Sequence, residues 1–499
     1  MTRTEKFLKN SASTALLQII TMLSGFIIPR VMLDIYGSEI NGLISSITQF
    51  INYFMLVEAG LSAAVVYSLY KPLAEKDYIK ISSIVTAAKN FYNKSGYIFV
   101  GLTVCLAISY PFFVTTNELS LIEVGILVLV LGVSGALEFF TLAKYRAILT
   151  ADQKVYIISL ASIIYVIVNT SIIVVLSYLN VNIVLVRAIA LLSVFLRSYL
   201  LYFFVKKHYT YLNYNEVPDN KALDKRWDAL YMQIIGVINS GLPILLATLF
   251  TNLKTVSVYV VFNLVIIGIN GILGVFMGGV SSTFGDIIAR KEYKNLKKAY
   301  NEFQLIYYLI IASIHGISFA MIMSFILIYT KGITDVNYNL PWTGFIIVLN
   351  SLMYSIKTPQ GMLTIAAGLY KESRSRITLQ TVIAVVFGTL LGYFYGLNGI
   401  IIGMILANLY RMIDLIFFIP KYIPQISKTT TIYRMLSVVV LSFIIYMPML
   451  FWHIEISNLG IWIISTIGMI IYACIIISIY IIFFERNTMK GIICRFKRQ

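Results

Sequence analysis

The sequence predicts an all-α polytopic membrane protein, and three observations support this fold class. Apolar residues make up 59% of the chain, whereas charged residues make up only 12%. Apolar runs of about 20 residues or more recur from Ser11 to Phe484, and each can cross a hydrocarbon core as a helix. Lys and Arg are concentrated in alternate gaps between these runs, as expected for helices that cross a membrane in alternating directions.

The apolar runs predict about fourteen transmembrane helices. The first run is part of this series and is too long for a cleavable signal peptide, so we expect it to be retained as the first helix. The predicted spans are 11–36, 39–70, 84–114, 121–143, 155–178, 181–205, 228–251, 255–285, 302–330, 341–369, 377–395, 398–419, 433–453 and 458–484.

The distribution of basic residues predicts the orientation of these spans. The gaps before the odd-numbered spans, together with the C-terminal tail, carry 32 Lys and Arg residues, whereas the opposite gaps carry only Lys254 and Lys331. By the positive-inside rule, both termini lie in the cytoplasm. The net charge of +17 therefore reflects topology, and its dispersal over short loops argues against nucleic-acid binding.

Residue patterns typical of catalysis or metal binding are absent from the sequence. The three cysteines are isolated and the three histidines are far apart, so neither a disulfide framework nor a metal site is predicted. No GxxxxGK[ST] phosphate-binding loop, no GxSxG motif and no stretch large enough for a soluble catalytic domain is present. These observations predict a protein that is not an enzyme and holds no cofactor.

The chain contains a weak internal repeat. A shift of 215 positions aligns Gln18-Ile-Ile20 with Gln233-Ile-Ile235, and Lys76-Asp-Tyr78 with Lys291-Glu-Tyr293. Six spans separate equivalent points, so the two copies have the same orientation and should be related by an axis along the membrane normal, with a cavity between them. We expect an N-lobe of six helices at 1–206, a cytoplasmic linker at 207–226, a second six-helix lobe at 227–420, and a helix pair with a tail at 421–499.

Several short segments resemble the multidrug/oligosaccharidyl-lipid/polysaccharide (MOP) exporter superfamily, and within it the Wzx-type polysaccharide flippases. The similarity extends as a pattern over roughly residues 1–420. The segments that carry it are Phe7-Leu-Lys-Asn10, Ile35-Tyr-Gly-Ser-Glu39 with Gly42-Leu43, Glu58-Ala-Gly60-Leu-Ser-Ala-Ala64, and Tyr145-Arg146 followed by Leu149, Ala151 and Gln153-Lys154. The count of fourteen spans also resembles the lipid II flippases.

The resemblance implies a flippase in the bacterial cytoplasmic membrane. Its substrate would be an undecaprenyl-pyrophosphate-linked oligosaccharide used for surface polysaccharide synthesis, and its transport could be coupled to H⁺ or Na⁺. Membrane lipids and other polysaccharide-assembly proteins are the implied partners. A lipid II flippase and a drug/cation antiporter of the same superfamily are the alternatives, and a membrane enzyme such as a polymerase is disfavoured because no large external loop is present.

Five cations lie within predicted spans, where a charge is costly unless it is paired or faces water, so each is a candidate substrate-binding residue. Lys357 is the strongest candidate, because it precedes Pro359 by two positions and has no carboxylate within one helical turn. Arg187 and Arg197 should lie about 80° apart around one helix and roughly 15 Å apart along it, so they could form one cationic track.

The other charges within the spans have local partners or could take a different role. Arg30 can pair with Asp34 at i,i+4, and Arg411 can pair with Asp414 at i,i+3, so for each arginine a structural pair competes with substrate binding. Glu58 has no cation nearby in sequence. It could bind a coupling ion or pair with an arginine from another helix.

Overall fold

The polypeptide is helical in the computed structural model, which describes residues 3–58, 61–219, 227–277, 280–451, 456 and 458–496. No β-strand occurs in these ranges. Backbone contacts divide the chain into two compact units, Met1–Ser257 and Val258–Gln499, and the boundary falls within one helix. We describe each unit separately.

The first unit is built mainly from apolar helices that pack along their lengths. Its helices are α1 (Arg3–Phe54), α2 (Leu61–Glu75), α3 (Tyr78–Phe113), α4 (Leu121–Leu137), α5 (Ala143–Ala151), α6 (Val155–Tyr178), α7 (Ile183–His208) and α8 (Trp227–Phe250), and α9 (Leu253–Met277) begins in it. Side-chain caps fix several helix starts. For example, Ser120 and Glu123 form a reciprocal capping box at the start of α4.

The second unit contains the rest of α9 and the C-terminal helices. These are α10 (Val280–Ala289), α11 (Tyr293–Tyr329), α12 (Pro341–Ile356), α13 (Thr358–Ala366), α14 (Tyr370–Tyr422), α15 (Lys428–Phe451), α16 (Leu459–Phe484) and α17 (Arg486–Phe496). Buried residues of α11, α15 and α16, among them Ile311, Leu441 and Tyr480, share one apolar core. The predicted C-terminal helix pair therefore packs against α11.

Eleven helical stretches of the described chain are long and apolar enough to cross a membrane, which makes this a multi-pass membrane protein. Two of them, Leu8–Glu58 and Tyr370–Tyr422, are interrupted by a glycine with positive φ. Gly37 has a φ of 78° and Gly396 a φ of 57°, a conformation that costs glycine little and other residues more. Each of these helices therefore consists of two segments joined at a glycine, without an intervening loop.

The predicted spans 39–70 and 341–369 are broken where continuous helices were expected. The span predicted at 39–70 leaves the α-helix at Met55 and continues as a 3₁₀ turn to Glu58 before α2 begins at Leu61. The span predicted at 341–369 is divided into α12 and α13 at Lys357. Pro359 explains the second break, because it has no backbone N–H to donate to the carbonyl of Ser355 and its ring crowds that carbonyl.

The backbone repeats at the spacing found in the sequence. Lys76 and Lys291, which are 215 positions apart, have φ values of 57° and 59°. Gln153 and Gly368, also 215 positions apart, have φ values of 57° and 67°. Left-handed backbone is unfavourable for Lys and Gln, so its recurrence at one spacing is a specific feature of the turns. The two halves of the chain therefore share local turn geometry.

Candidate functional site

Each unit carries charged side chains at an interruption in one of its predicted spans, 121–143 in the first unit and 341–369 in the second. In the first unit, a π-helical segment at Glu138–Leu142 separates α4 from α5. In the second unit, Lys357 separates α12 from α13, and it lies 215 positions after Leu142. Such interruptions are common at functional sites, because they disturb regular backbone pairing and redirect side chains. The two interruptions therefore lie at equivalent positions of the 215-residue sequence repeat.

Glu138, the first residue of the π-helical segment, joins two arginines in what we call the N-unit charge cluster: Glu58, Glu138, Arg146 and Arg197. The Nη1 atom of Arg146 donates to Glu138 Oε1 at 2.8 Å, and its Nη2 atom lies 3.3 Å from Glu58 Oε1. Arg197 lies 3.5 Å from Glu138 Oε1, and its guanidinium stands 4.7 Å from the ring centroid of Tyr165. Two carboxylates and two guanidinium groups balance, so this cluster is formally neutral.

Arg187 lies on the same helix as Arg197 but outside this cluster. Its Nε atom is buried and, within the described ranges, has no hydrogen-bond partner. The phenol groups of Tyr36 and Tyr165 are the ionisable groups that interact with it electrostatically. The structure therefore does not join Arg187 and Arg197 into one salt-bridged track, although both interact with Tyr165.

Lys357 is the central residue of what we call the C-unit polar cluster: Lys357, Arg376, Asn408, Arg411 and Asp414. Lys357 is only 9% exposed, and its Nζ donates to Asn408 Oδ1 at 2.7 Å. The ammonium group also stands 4.7 Å from the ring centroid of Tyr354. No carboxylate of the described residues forms an ion pair with it. Its positive charge is therefore solvated by an amide and an aromatic ring.

Asn408 is held in place by its other polar contacts. Its Nδ2 atom donates to Asn350 Oδ1 at 2.8 Å, and its Oδ1 atom also accepts from Gln380 Nε2 at 3.3 Å. The amide oxygen is therefore oriented towards the ammonium of Lys357 by neighbours on α12 and α14. This arrangement positions the ammonium group without neutralising it.

Arg411 and Asp414 pair locally, as their spacing allows. Arg411 is 4% exposed, and its guanidinium donates to Asp414 Oδ2 at 2.5 Å and to Ser373 Oγ at 2.6 Å. Arg376 donates to the other oxygen of Asp414. The cluster therefore contains three cations and a single carboxylate, and its formal charge is +2. Lys357 is the cation in it that no carboxylate contacts.

Arg30 and Asp34 form an i,i+4 pair on α1, with Nη2 and Oδ1 2.9 Å apart. Both side chains remain 31% exposed. The pair belongs neither to the N-unit charge cluster nor to the C-unit polar cluster.

Several members of the two clusters were not selected from the sequence. Arg146 and Arg376 lie in the basic gaps between predicted spans, and Glu138 lies near Lys144 at the end of the predicted span 121–143. Their partners lie between 8 and 88 positions away, so a search for pairs within one helical turn could not find them. The sequence offers one local signal at each interruption, which is Glu138 in the first unit and Pro359 in the second.

Among the described residues, no group of three or more His, Cys, Asp and Glu side chains could hold a metal ion. The two clusters are built from ion pairs, amides and aromatic rings. They can bind and orient charged groups.

Comparisons with known proteins identify the fold. No protein-family model matches the chain, and no curated protein sequence matches it. Among solved structures, the inward closed conformation of the lipid II flippase MurJ matches with a TM-score of 0.68 at 15% identity, covering 96% of this chain and 99% of that one. An inward-facing multidrug resistance MATE family transporter of the MOP superfamily matches with a TM-score of 0.61 at 14% identity, covering 86% and 98%.

A third match is a MOP superfamily transporter from Pyrococcus furiosus, whose structure is described as having a binding pocket of reverse polarity. Its TM-score is 0.51 at 14% identity, and the match covers 87% of this chain and 96% of that one. The matched proteins are transporters and a flippase rather than enzymes. Because these matches cover 86–96% of this chain, the protein has the fold of the MOP superfamily transporters.

Proposed function

We propose that this protein is a flippase that moves an undecaprenyl-pyrophosphate-linked oligosaccharide across the bacterial cytoplasmic membrane by alternating access. Dividing two of the eleven long helices at Gly37 and Gly396, and counting α12 with α13 as one crossing, gives fourteen crossings. This even number supports a topology with both termini on the same side, and the basic loops support the cytoplasm as that side.

The orientation can be tested by labelling introduced cysteines with an impermeant reagent. A cysteine at Asn117, in an acidic loop, should react from outside the cell. A cysteine at Asn220, which lies outside the described residues, should react only after the membrane is opened. The reverse pattern would contradict the orientation.

Lys357 is the observation that carries the proposal. An ammonium group that is 91% buried and lacks a carboxylate partner is costly to keep for packing alone. The +2 charge of the C-unit polar cluster suits a diphosphate, whose oxygens accept charge-assisted hydrogen bonds. Lys357 would bind the diphosphate, whereas Arg411 would position the cluster because its guanidinium is already occupied by Asp414 and Ser373.

Tyr354 offers a surface for the glycan next to this cation. Its ring stands over the Lys357 ammonium and is 54% exposed, so one part of the ring remains free. Exposed aromatic faces pack well against the apolar faces of sugars, and the amphipathic tyrosine ring suits a partly wet surface. A diphosphate on Lys357 would place the first sugar near this ring.

The charge balance favours an anionic substrate over the cation expected for a drug antiporter. The carboxylates Glu58, Glu138 and Asp414 are all occupied by arginines, whereas Lys357 and Arg187 contact no carboxylate among the described residues. MurJ is a lipid II flippase, so its fold match supports a lipid-linked substrate and keeps lipid II as the alternative. Coupling to H⁺ or Na⁺ would then require one of these carboxylates to release its arginine.

The proposal can be tested with Lys357 variants in proteoliposomes that contain a fluorescent undecaprenyl-diphosphate oligosaccharide. Lys357→Gln should lower the translocation rate at least about tenfold, because a buried charge-assisted hydrogen bond is worth on the order of 1.5–3 kcal/mol. Lys357→Arg should retain part of the rate. Lys94→Gln, at an exposed lysine, is the control and should transport normally.

The amount of folded protein separates binding from a structural role. If Lys357→Gln is folded and transports at the wild-type rate, Lys357 is not a substrate residue. If Lys357→Arg and Lys357→Gln both lose folded protein, the cation is structural and the proposal is wrong at this site.

A further inference from the structure

A tyrosine-lined pocket of about 470 Å³ lies within the first unit. Its lining includes the three lysines Lys89, Lys144 and Lys206 and four tyrosines, among them Tyr145, Tyr202 and Tyr214. None of these residues belongs to the N-unit charge cluster. The lysines come from α3, α5 and α7, so three separate helices contribute a positive charge to one pocket.

The three lysines of the pocket lack counter-charges. Lys89 and Lys144 are half-buried, and their Nζ atoms stand 5.4 Å and 5.6 Å from the ring centroid of Tyr214. Lys206 stands 5.6 Å from the ring centroid of Tyr202. Across the described part of the chain, none of these lysines forms an ion pair. Two ammonium groups near one ring repel each other, so an anion between them would be stabilised.

The pocket wall is held in place before any ligand binds. The segment that follows α7 lies against α3, where Ser82 Oγ accepts a hydrogen bond from the backbone N–H of Asn213 at 3.2 Å. Thr86 Oγ1 donates to the backbone carbonyl of Asn213 at 3.4 Å. These contacts fix the residue next to Tyr214. The position of the Tyr214 ring near the two lysines is therefore a built feature of the unit.

We infer that this pocket binds a phosphate group, with the headgroup of an anionic lipid as its source. Phosphate oxygens accept hydrogen bonds from lysine ammonium and tyrosine hydroxyl groups, both of which line the pocket. Tyr199 and Phe203 lie on the same helix as Lys206 and are 62% and 57% exposed. Exposed aromatic residues beside a basic pocket are typical of the membrane surface, where a lipid phosphate would be at hand.

The inference can be tested on the full-length protein with two probes and a matched pair of variants. The pocket variant is Lys89→Gln with Lys206→Gln. The control is Lys94→Gln with Lys207→Gln, which removes the same charge from α3 and α7 at exposed lysines outside the pocket. The probes are phosphatidylglycerol, measured by native mass spectrometry, and inorganic pyrophosphate, measured by isothermal titration.

Wild-type and control proteins should bind phosphatidylglycerol equally, and the pocket variant should bind it at least about tenfold more weakly. Lys89→Arg with Lys206→Arg keeps the charges and should restore binding. Pocket-dependent binding of phosphatidylglycerol alone identifies a lipid headgroup, whereas pocket-dependent binding of pyrophosphate as well identifies a general phosphate site. The inference is wrong if neither probe binds the wild type, or if the control weakens binding as much as the pocket variant does.

Discussion

Breaking the buried ion pair between Arg434 and Glu485 from one side should strongly destabilise the second unit. Arg434 lies on α15, and Glu485 follows the last residue of α16. The two side chains are 4% and 8% exposed, and Nε and Nη2 of Arg434 donate to the two carboxylate oxygens at 2.8 Å and 3.1 Å. Nη1 also donates to the carbonyl of Asn301, on α11, at 2.8 Å. One guanidinium thus joins three helices.

Replacing Arg434 with methionine would leave the Glu485 carboxylate buried without a counter-charge, with the hydroxyl of Thr488 still donating to it at 2.8 Å. Breaking a buried pair from one side typically lowers the free energy of unfolding by about 3–5 kcal/mol, whereas removing both charges is often nearly neutral. We therefore expect Arg434→Met to destabilise the detergent-solubilised protein by about that amount, and Arg434→Met with Glu485→Gln to recover most of the loss. Denaturant unfolding, followed by circular dichroism, measures both changes.

The control is Arg290→Met, which removes an arginine from an exposed i,i+4 pair with Asp286. Exposed pairs contribute little, so this variant should change the free energy of unfolding by about 0.5 kcal/mol or less. If Arg434→Met were no more destabilising than Arg290→Met, or if the double variant lost the sum of both single effects, the pair would not act as a unit and the reasoning would be wrong.

Further predictions concern a turn and a close helix contact. Asp152 Oδ2 accepts a hydrogen bond from the Tyr209 hydroxyl at 2.7 Å, and Asp152 Oδ1 lies 3.3 Å from the Nζ atom of Lys6. Burial alone would raise the pKa of Asp152, but these two contacts and the ion pair with Lys154 lower it below its usual value. Its stabilisation should therefore be present above the unfolded pKa of about 3.9 and be lost as the pH falls through the lower folded value, so the protection of the amides of residues 3–10 from hydrogen exchange, relative to their intrinsic exchange rates, should fall in acid. Asp152→Asn should remove this pH dependence, and a wild-type protection profile that is flat down to pH 3 would contradict the assignment. A Cβ atom at Gly403 would lie 2.4 Å from the backbone nitrogen of Gly388, which belongs to the segment of α14 before Gly396. Gly403→Leu should therefore reduce the yield of folded protein. Gly468→Leu is the control and should not reduce it, because a Cβ atom at Gly468 would have no other heavy atom within 4 Å. Equal yields of the two variants in size-exclusion chromatography would show that this contact tolerates bulk.

The sequence predicted the class of fold because hydrophobic length and charge asymmetry are direct consequences of the bilayer. It could not locate the interruptions at Met55 and at Lys357, since apolar runs continue through both and hydropathy does not report helix geometry. Gly37 and Gly396 each join two helix segments directly, without a loop. The sequence predicted the spans on either side of each glycine, but it could not predict that the chain turns between them at a single residue.

For the candidate site, local spacing predicted the contacts made within one helix and missed those between helices. The pairs of Arg30 with Asp34 and of Arg411 with Asp414 were both available from spacing alone. Asn408, which holds Lys357 from 51 positions away, gave no sequence signal because a single amide within an apolar helix has no motif. Tertiary packing decides which helix faces meet, and one sequence does not contain that information in its local pattern.

The translocation of an undecaprenyl-diphosphate oligosaccharide by this protein alone, in proteoliposomes, tests the central claim most directly. The comparison lipid carries the same glycan on a neutral anchor, and externally added galactose oxidase reports the glycan that has reached the outer leaflet. We expect the diphosphate lipid to be translocated at least about tenfold faster than the neutral lipid, because the C-unit polar cluster carries an unneutralised cation. Equal rates for the two lipids, or transport of an organic cation with neither lipid moved, would contradict the account.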